Sequence, residues 1–210
     1  MSSSELALIE VLEAARDRGF LGPGEVVAHI SHAHGFARVV QRILGSPPVT
    51  FCDLGTGGGV PGLVLAADWP DAAGILVEAN ARRGRALRDA LERLGWTGRI
   101  EVVEARAEDV AHRAGYREHA AAVVARSFAG PAATAEIATG LLAVGGALVV
   151  SEPPGGDARR WPTEQLALLG LGAARIEVAE QGTYAVIRKT AVAPNEFPRG
   201  VGRPTKRPLW

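Results

Sequence analysis

The sequence predicts an α/β fold of Rossmann-like type, in which helices precede a seven-stranded, mostly parallel sheet that ends in an antiparallel hairpin. Short apolar runs alternate with helical stretches from Val49 onward, the pattern of a parallel sheet covered by helices. A glycine-rich turn follows the first apolar run, as in nucleotide-binding α/β folds. The last two apolar runs are joined only by Glu180-Gln181-Gly182. Because that link is too short for a crossover helix, these runs are predicted to pair as a hairpin.

Composition favours one soluble domain. The 210 residues are 47% hydrophobic and 22% charged, enough to bury a sizeable core. No apolar run approaches the ~20 residues of a membrane span, and Met1–Glu5 lacks the basic region of a signal peptide. We therefore expect a cytoplasmic protein. The single cysteine, Cys52, excludes an intrachain disulfide. The close histidines His29, His32 and His34 lack a helical pairing with an acid, so no metal site is expected.

Residues 1–48 are predicted to form an N-terminal helical extension. Apolar side chains at helical spacing indicate one helix over about residues 4–18 and another over about residues 32–44. Gly45-Ser46-Pro47-Pro48 closes the second helix, because proline cannot continue it. The sheet domain is expected to follow over residues 49–190.

The first strand and the turn after it form the centre of the predicted site. Val49–Leu54 is predicted to be a buried strand, and four glycines fall within Gly55–Gly59. Glycine accepts positive φ and lets a ligand approach the main chain closely. Pro61 suits the first position of the next helix, where its missing N–H is no loss. A strand, a bare turn and a helix N-terminus together indicate a nucleotide-type cofactor site.

Asp53 distinguishes between two kinds of cofactor. Gly57–Gly62 also satisfies the G-x-G-x-x-G dinucleotide pattern, which by itself is a weak signal. A carboxylate two residues before Gly55 would lie near a pyrophosphate and repel it. S-adenosylmethionine has a cationic amino-acid end and no phosphate, so it tolerates this acid. The pattern favours S-adenosylmethionine, with NAD as the alternative.

The second strand is predicted to supply an acid for the ribose of the cofactor. Gly74–Glu78 is the strand, and Asn80 suits the N-cap of the next helix. Glu78 lies beside the glycine turn, where an acid accepts hydrogen bonds from ribose hydroxyls. The alternative is an exposed strand-end carboxylate. The outer face of the following helix carries Arg82, Arg83, Arg85, Arg88 and Arg93.

The remaining strands complete the sheet. They are predicted at Arg99–Val103, Ala120–Ala125, Gly146–Val150, Ala174–Ala179 and Thr183–Lys189, with a helix over about Pro131–Leu142. Five parallel strands followed by a hairpin are the arrangement of many methyltransferases, so the topology agrees with the motif.

Two short segments after the third and fourth strands are candidate site residues. Arg106–Asp109 follows the third strand, where the adenine of a nucleotide lies against main chain and a nearby acid. Either Glu108 or Asp109 supplies that acid, or both are only charges at a helix start. Arg126-Ser127-Phe128 follows the fourth strand, where substrate and cofactor meet. Arg126 is expected to orient one of them; the alternative is a solvated arginine.

Residues 191–210 are predicted to form an extended basic tail. From Arg188 to the end, six basic residues stand against one acidic residue, although the formal net charge of the chain is zero. Four prolines disfavour helix in this stretch. A basic tail on a mildly acidic body suggests contact with polyanions. Its cations are Arg199, Arg203, Lys206 and Arg207.

These motifs together resemble the RsmG (GidB) family of 16S rRNA guanine-N7 methyltransferases. The matching segments are Asp53–Gly57, Gly59–Gly62, Arg106–Glu108, Arg126–Phe128 and, within the tail, Phe197–Leu209. The resemblance covers about Val49 to Trp210. It implies the Rossmann-like fold of class I S-adenosylmethionine-dependent methyltransferases, S-adenosylmethionine as cofactor, and 16S rRNA of the small ribosomal subunit as partner of the basic tail.

The resemblance also implies which residues form the site. The positions that match the family's S-adenosylmethionine contacts are Gly55, Val60, Ala107, Glu108 and Arg126. The motif analysis adds Asp53, Gly57, Gly59 and Glu78. Arg126 is also the expected catalytic residue. Because guanine N7 has a free lone pair, no general base is expected, and alignment of the reacting atoms would supply the catalysis.

Two features depart from the family pattern. Residues 1–48 lack the family's Trp-Asn…Asn-Leu-Thr signature, and Ser151–Pro154 stands where the family has Lys-Gly. Glu152, in this second segment, is expected to repel RNA phosphate near the substrate mouth. The alternative functions are a divergent S-adenosylmethionine-binding relative that methylates another substrate, such as a small molecule, or a non-catalytic regulatory module.

Overall fold

The N-terminal extension consists of two helices that pack on the sheet domain. The computed structural model describes residues 3–210; Met1 and Ser2, the start of the expected extension, lie outside the described residues. The helices are α1 (Ser3–Asp17) and α2 (Val26–Leu44). The first agrees with the expected range, whereas α2 begins six residues earlier than predicted. Val26 is buried, so the apolar face of α2 starts there.

The sheet has seven strands in the order β3-β2-β1-β4-β5-β7-β6. Their bounds are β1 Thr50–Leu54, β2 Ala73–Val77, β3 Ile100–Val103, β4 Ala120–Ala125, β5 Leu142–Glu152, β6 Arg175–Ala179 and β7 Gly182–Arg188. Strands β1 to β5 pair in parallel, and β7 is antiparallel to both β5 and β6. The predicted sheet and its terminal hairpin are confirmed.

Helices cover both faces of the sheet. After α2 they are α3 Gly62–Asp68, α4 Ala81–Leu94, α5 Ala107–Val110, α6 Pro131–Leu141, α7 Thr163–Leu168 and α8 Arg203–Lys206, with a 3₁₀ turn at Ala158–Arg160. Asn80 caps α4 as predicted: its side-chain oxygen accepts hydrogen bonds from the backbone N–H groups of Arg82 (2.9 Å) and Arg83 (3.2 Å). The carboxyl ends of the parallel strands therefore meet helix starts at one edge.

The two faces of the sheet have separate cores, because successive side chains of a strand point to opposite faces. Phe51 faces the core formed with the N-terminal helices, which includes Phe36 and Leu65. The next residue, Cys52, faces the other core, with Ile137 and others. Cys52 is fully buried, so it occupies the core position that its apolar setting favours.

The tail is folded against the body rather than extended throughout. Gly202 takes φ 75° at the N-cap of α8, and Pro204 occupies the first turn of that helix, where a missing N–H is tolerated. The expectation of an extended chain is therefore wrong for Arg203–Lys206. Proline disfavours a helix interior, but it is compatible with this one-turn start.

Within residues 3–210, no helix is both long and apolar enough to cross a membrane.

Candidate cofactor site and its substrate face

A cavity of about 280 Å³ lies at the carboxyl ends of β1 to β4. The strand order changes direction between β1 and β4, which is where ligands bind in open α/β sheets. The predicted site residues that line the cavity are Gly55, Glu78, Ala107 and Glu108. A larger cavity of about 600 Å³ lies at the opposite edge, beside Thr50 and Gly74, and no predicted site residue lines it. We therefore assign the site to the smaller cavity.

Two glycines of the turn are required for different reasons. Gly55 has φ 66°, and a Cβ there would lie 2.6 Å from Cδ2 of Phe128, so the Phe128 ring rests directly on its main chain. Gly59 has φ 100°, and a Cβ there would lie 2.5 Å from Cδ1 of Leu63. The first glycine makes room for the Phe128 ring, which lines the cavity, whereas the second allows the turn to pack on α3.

Asp53 is turned into the protein. Its side chain is 0% exposed, and Oδ2 accepts a hydrogen bond from the Gly62 N–H at 2.8 Å. A Cβ on Gly62 would lie 2.7 Å from that oxygen, so only glycine fits. Burial raises the pKa of Asp53 to about 6. Asp53 was expected among the cofactor-binding residues; its observed bond instead ties the end of β1 to the start of α3.

Glu78 holds the turn and faces the cavity. Its Oε2 accepts from the Gly57 N–H at 3.0 Å, and Oε1 accepts from the Asn80 N–H at 2.8 Å. Arg83 Nη1 lies 3.9 Å from Oε2. Each carboxylate oxygen has a further lone pair, so Glu78 can also accept hydrogen bonds from a ligand's hydroxyls. The structure thus brings Gly57 and Glu78 together, as the predicted ribose site requires.

Glu108 has one oxygen engaged and one free. The side chain is 1% exposed, and Oε1 accepts from Arg106 Nη2 (3.0 Å) and from the Gly202 N–H (2.9 Å). Oε2 is buried and has no hydrogen-bond partner among the described residues. Burial opposes ionisation, but the bonds from Gly202 and Arg106 outweigh it and lower the pKa of Glu108. Asp109 is exposed, so Glu108 is the acid that the cavity offers to a ligand.

Val60 and Ala107 complete the frame of the predicted site. Both are buried, Val60 in the core below the turn and Ala107 at the start of α5 beside Glu108. The predicted residues therefore surround one crevice, with Ala107 on its wall and Val60 beneath it.

Arg126 lies on the side of the crevice covered by α2. Its Nη2 donates to Nδ1 of His29 at 3.0 Å. Burial lowers the pKa of Arg126, while the nearby Asp53 opposes that change. On the same helix, burial lowers the pKa of His32 to about 4, and the neighbouring charges of Arg126 and His29 add to the effect. Tyr184 from β7 donates to the His32 carbonyl oxygen at 2.8 Å.

His29, His32 and Tyr184 are not recognisable as site residues from the sequence alone. Their one signal was the three-residue spacing of His29 and His32, which places both on one helix face. The contact with Arg126 joins residues 97 positions apart, and no local pattern indicates it.

Glu152 is buried, and its negative charge is balanced by an ion pair. It is 7% exposed, is ion-paired with Arg160, and accepts a hydrogen bond at Oε1 from Trp161 Nε1 at 3.0 Å. The expectation that Glu152 repels RNA at the substrate mouth is therefore wrong, because its charge is matched by a guanidinium and shielded from solvent.

One of the four tail cations is similarly engaged. Arg199 Nη2 lies 2.7 Å from Oε2 of Glu136, and Arg199 Nε lies 2.9 Å from Oε1. Glu136 is fully buried, so Arg199 serves as its counter-ion and is not free for a phosphate. Arg203, Lys206 and Arg207 are exposed. The basic surface of the tail therefore consists of these three residues.

Within residues 3–210, no three His, Cys, Asp or Glu side chains are grouped so that they could hold a metal ion.

Residues 24–152 match the sequence profile of the GidB family, described as "rRNA small subunit methyltransferase G". The chain belongs to this family. It is 32% identical over 170 residues to ribosomal RNA small subunit methyltransferase G of Moorella thermoacetica, a match that covers 78% of this chain and 70% of the relative. It is 31% identical over 210 residues to the protein of the same name from Chloroflexus aggregans, a match that covers 94% of this chain and 82% of the relative. The resemblance inferred from the motifs is confirmed.

A third GidB relative is matched over less of its length. The protein of the same name from Rubrobacter xylanophilus is 36% identical over 174 residues, which cover 75% of this chain and 64% of the relative. The match thus spans less than two thirds of that protein.

Solved structures agree with the fold. The chain is similar to a putative O-methyltransferase from Klebsiella pneumoniae, with a TM-score of 0.59, 17% identity, and coverage of 88% of this chain and 90% of that one. It is also similar to the O-methyltransferase TomG from Streptomyces achromogenes in complex with SAM, with a TM-score of 0.56, 19% identity, and coverage of 88% and 90%. The predicted class I methyltransferase fold is confirmed.

Proposed function

We propose that the protein transfers the methyl group of S-adenosylmethionine to N7 of a guanine in 16S rRNA of the small ribosomal subunit. The observation that carries the proposal is the buried, unpartnered Oε2 of Glu108, a residue that lines the crevice of this GidB family member. A buried acceptor without a partner is costly and indicates a missing donor. The amino group of an adenine is a donor of the right kind.

The residues around the cavity fit S-adenosylmethionine better than NAD. Glu108 offers an acceptor to an adenine amino group, and Glu78 offers acceptors to ribose hydroxyls. Asp53 adds a third buried acid beneath the turn. The two carboxyl groups that line the crevice, Glu78 and Glu108, together with the buried Asp53 nearby, oppose a pyrophosphate and favour a ligand that carries positive charge. The dinucleotide alternative therefore lacks support from the charges of the site.

The catalytic contribution of the chain is alignment. S-adenosylmethionine supplies an electrophilic methyl group when bound, and guanine N7 already has a lone pair. No side chain has to remove a proton. Arg126, half-buried at the end of β4 and held by His29, is positioned to orient the base or the cofactor. Fixing the reacting atoms in line is a major source of rate acceleration in such a transfer.

The exposed cations of the tail suit the RNA partner. Arg203, Lys206 and Arg207 can contact phosphates, which supply much of the affinity for nucleic acids. The base to be modified has to come from a single-stranded or splayed region, because enzymes that modify a base act on one that has left the stack.

The test is methylation of small ribosomal subunits that lack the modification, using a labelled methyl donor and mapping of the labelled base. We expect one labelled guanine, modified at N7, and loss of labelling in the Arg126→Ala variant. Binding of S-adenosylhomocysteine without labelling would favour the non-catalytic module, and labelling of a small molecule instead would favour another substrate. Binding of NAD but not S-adenosylhomocysteine would contradict the cofactor assignment.

A further inference from the structure

The C-terminal segment, residues 193–207, is fastened to the sheet domain along its length. Arg117 donates hydrogen bonds to the carbonyl oxygens of Phe197 (3.0 Å), Ala193 (3.3 Å) and Pro194 (3.3 Å). His112 Nε2 lies 2.6 Å from the carbonyl oxygen of Pro198. These contacts hold the C-terminal segment on the face opposite the N-terminal helices.

The strongest attachment is the pair of Arg199 and Glu136. The backbone N–H of Arg199 and its guanidinium both donate to the carboxylate, at 2.7 to 2.9 Å. Glu136 is fully buried on α6. Removing one partner of a buried pair leaves an uncompensated charge, so this contact strongly favours the docked position of the segment.

Three residues later the C-terminal segment reaches the cofactor crevice. The Gly202 N–H donates to Oε1 of Glu108 at 2.9 Å, from a backbone with φ 75° that glycine adopts without strain. The other donor to Oε1 is Arg106, whose side chain is 51% exposed. The Gly202 bond is thus the contact that fixes the carboxylate from the protein side and leaves Oε2 for a ligand.

We infer that the C-terminal segment braces Glu108, a residue that lines the cofactor site, and couples that site to the RNA. Gly202 orients Glu108 toward the adenine. Directly after Gly202, α8 presents Arg203 and Lys206 to RNA phosphates, and Arg207 follows at the end of the helix. RNA held by α8 stabilises the docked segment and therefore the orientation of Glu108. By thermodynamic reciprocity, bound cofactor favours RNA binding in return. This inference rests on the proposed function and assigns the C-terminal segment a part in it.

The first experiment compares Gly202→Ala with Gly200→Ala by calorimetry. Alanine at φ 75° is strained, so Gly202→Ala should displace the N–H from Glu108. A Cβ on Gly200 meets nothing within 4 Å, and the control should bind normally. We expect Gly202→Ala to bind S-adenosylhomocysteine about tenfold more weakly, as for a lost hydrogen bond to a charged group. A chain ending at Val201 keeps the ion pair of Arg199 and Glu136, and its affinity for S-adenosylhomocysteine should fall by at least the same factor.

The readout that separates positioning from general destabilisation is base discrimination. S-inosylhomocysteine replaces the adenine amino group, the expected donor to Glu108 Oε2, with an oxygen that cannot donate from that position. The unmodified protein should prefer S-adenosylhomocysteine to this analogue, and Gly202→Ala should lose most of that preference while its thermal unfolding stays cooperative. If both glycine variants discriminate between the two bases as well as the unmodified protein does, Gly202 does not position Glu108 and the inference is overturned.

The coupling is measured by repeating the titration with unmethylated small ribosomal subunits present. The unmodified protein and Gly200→Ala should bind S-adenosylhomocysteine several-fold more tightly with the subunits than without them, a typical coupling. Gly202→Ala and the chain ending at Val201 should show no such gain. An equal affinity with and without subunits in the unmodified protein would overturn the coupling. Absence of S-adenosylhomocysteine binding in every chain would instead contradict the proposed function.

Discussion

The end of β1 and the start of α5 both bury a carboxylate at the cofactor edge, but the two acids have different partners. Asp53 bonds to Gly62, nine residues along the chain, and lies wholly inside the protein. Glu108 bonds to Gly202, ninety-four residues away, and keeps one oxygen free at the cavity. Oδ1 of Asp53 is also buried without a hydrogen-bond partner among the described residues, but Asp53 does not line the cavity, whereas Glu108 does. In our proposal Glu108 serves as a binding group only when the C-terminal segment is docked.

This difference teaches that an acid at a strand end has no fixed role. A carboxylate that bonds to the start of the next helix and lines no cavity stabilises the shape of the backbone. A carboxylate satisfied from one side by a distant segment can present its other side to a ligand. The following predictions test that contrast, beginning with the largest expected effect.

Loss of the Asp53 carboxylate should disrupt the turn after β1. Asp53→Ala leaves the buried Gly62 N–H without an acceptor, which typically costs about 1–3 kcal/mol, and releases the glycine turn. We expect affinity for S-adenosylhomocysteine to fall on the order of 100-fold, beyond detection by calorimetry, as expected when a close backbone cradle is lost. Asp53→Asn is the matched control, because its amide oxygen can still accept from Gly62. Normal binding by Asp53→Ala would show that the turn does not depend on this bond.

Loss of the Glu108 carboxylate should affect the ligand rather than the fold of its turn. Glu108→Ala removes the acceptor offered to adenine, and affinity for S-adenosylhomocysteine should fall roughly tenfold or more. The neighbouring Asp109 is exposed, so Asp109→Ala should bind as the unmodified protein does. Equal effects of the two substitutions in calorimetry would contradict the assignment of Glu108 as the specific acid.

The exposed cations of the C-terminal segment should affect RNA binding. Replacing Arg203, Lys206 and Arg207 by alanine is expected to weaken binding to the unmethylated subunit and to reduce the slope of log K against log salt by about 2, since each lost phosphate contact removes roughly 0.7–0.9. Arg175 is exposed at the start of β6, at the opposite edge of the sheet. Arg175→Ala should leave the slope unchanged. Filter binding over a range of salt concentrations measures the slope for both variants. An unaltered slope in the triple variant would contradict contact between these three residues and RNA phosphates.

The smallest effect concerns the pH dependence of stability. Burial raises the pKa of Asp53 to about 6 from its usual value of 3.8. Between these two pH values the folded state binds more protons than the unfolded state, so this group's contribution to stability is full below about pH 4 and is lost as the pH rises through about 6. Relative to Asp53→Asn, the unmodified protein should lose a few degrees of melting temperature between pH 4 and pH 7. If the melting temperatures of the two proteins change equally with pH, the pKa of Asp53 is not raised.

Local patterns predicted most of the backbone. Strand and helix positions followed from apolar periodicity, glycine and proline, and the N-cap role of Asn80 from its place before a helix. The start of α2 and the one-turn helix α8 were missed. Each has a buried residue in its first turn whose helical state depends on packing, Val26 in α2 and Pro204 in α8. Propensity is a weak guide wherever tertiary contacts decide.

The candidate site divides in the same way. The sequence by itself determined the glycine turn, the strand-end acids and the family, because residues close along the chain create them. Tertiary structure decided which acid faces the cavity, that Arg126 is held by His29, and that the charges of Glu152 and Arg199 are matched by Arg160 and Glu136. An electrostatic partner is chosen by distance in space, and burial strengthens or penalises a charge according to that partner. Neither the distance between two charges nor their burial can be read from local sequence. Residues of the same charge can therefore bind a ligand in one place and stabilise the fold in another.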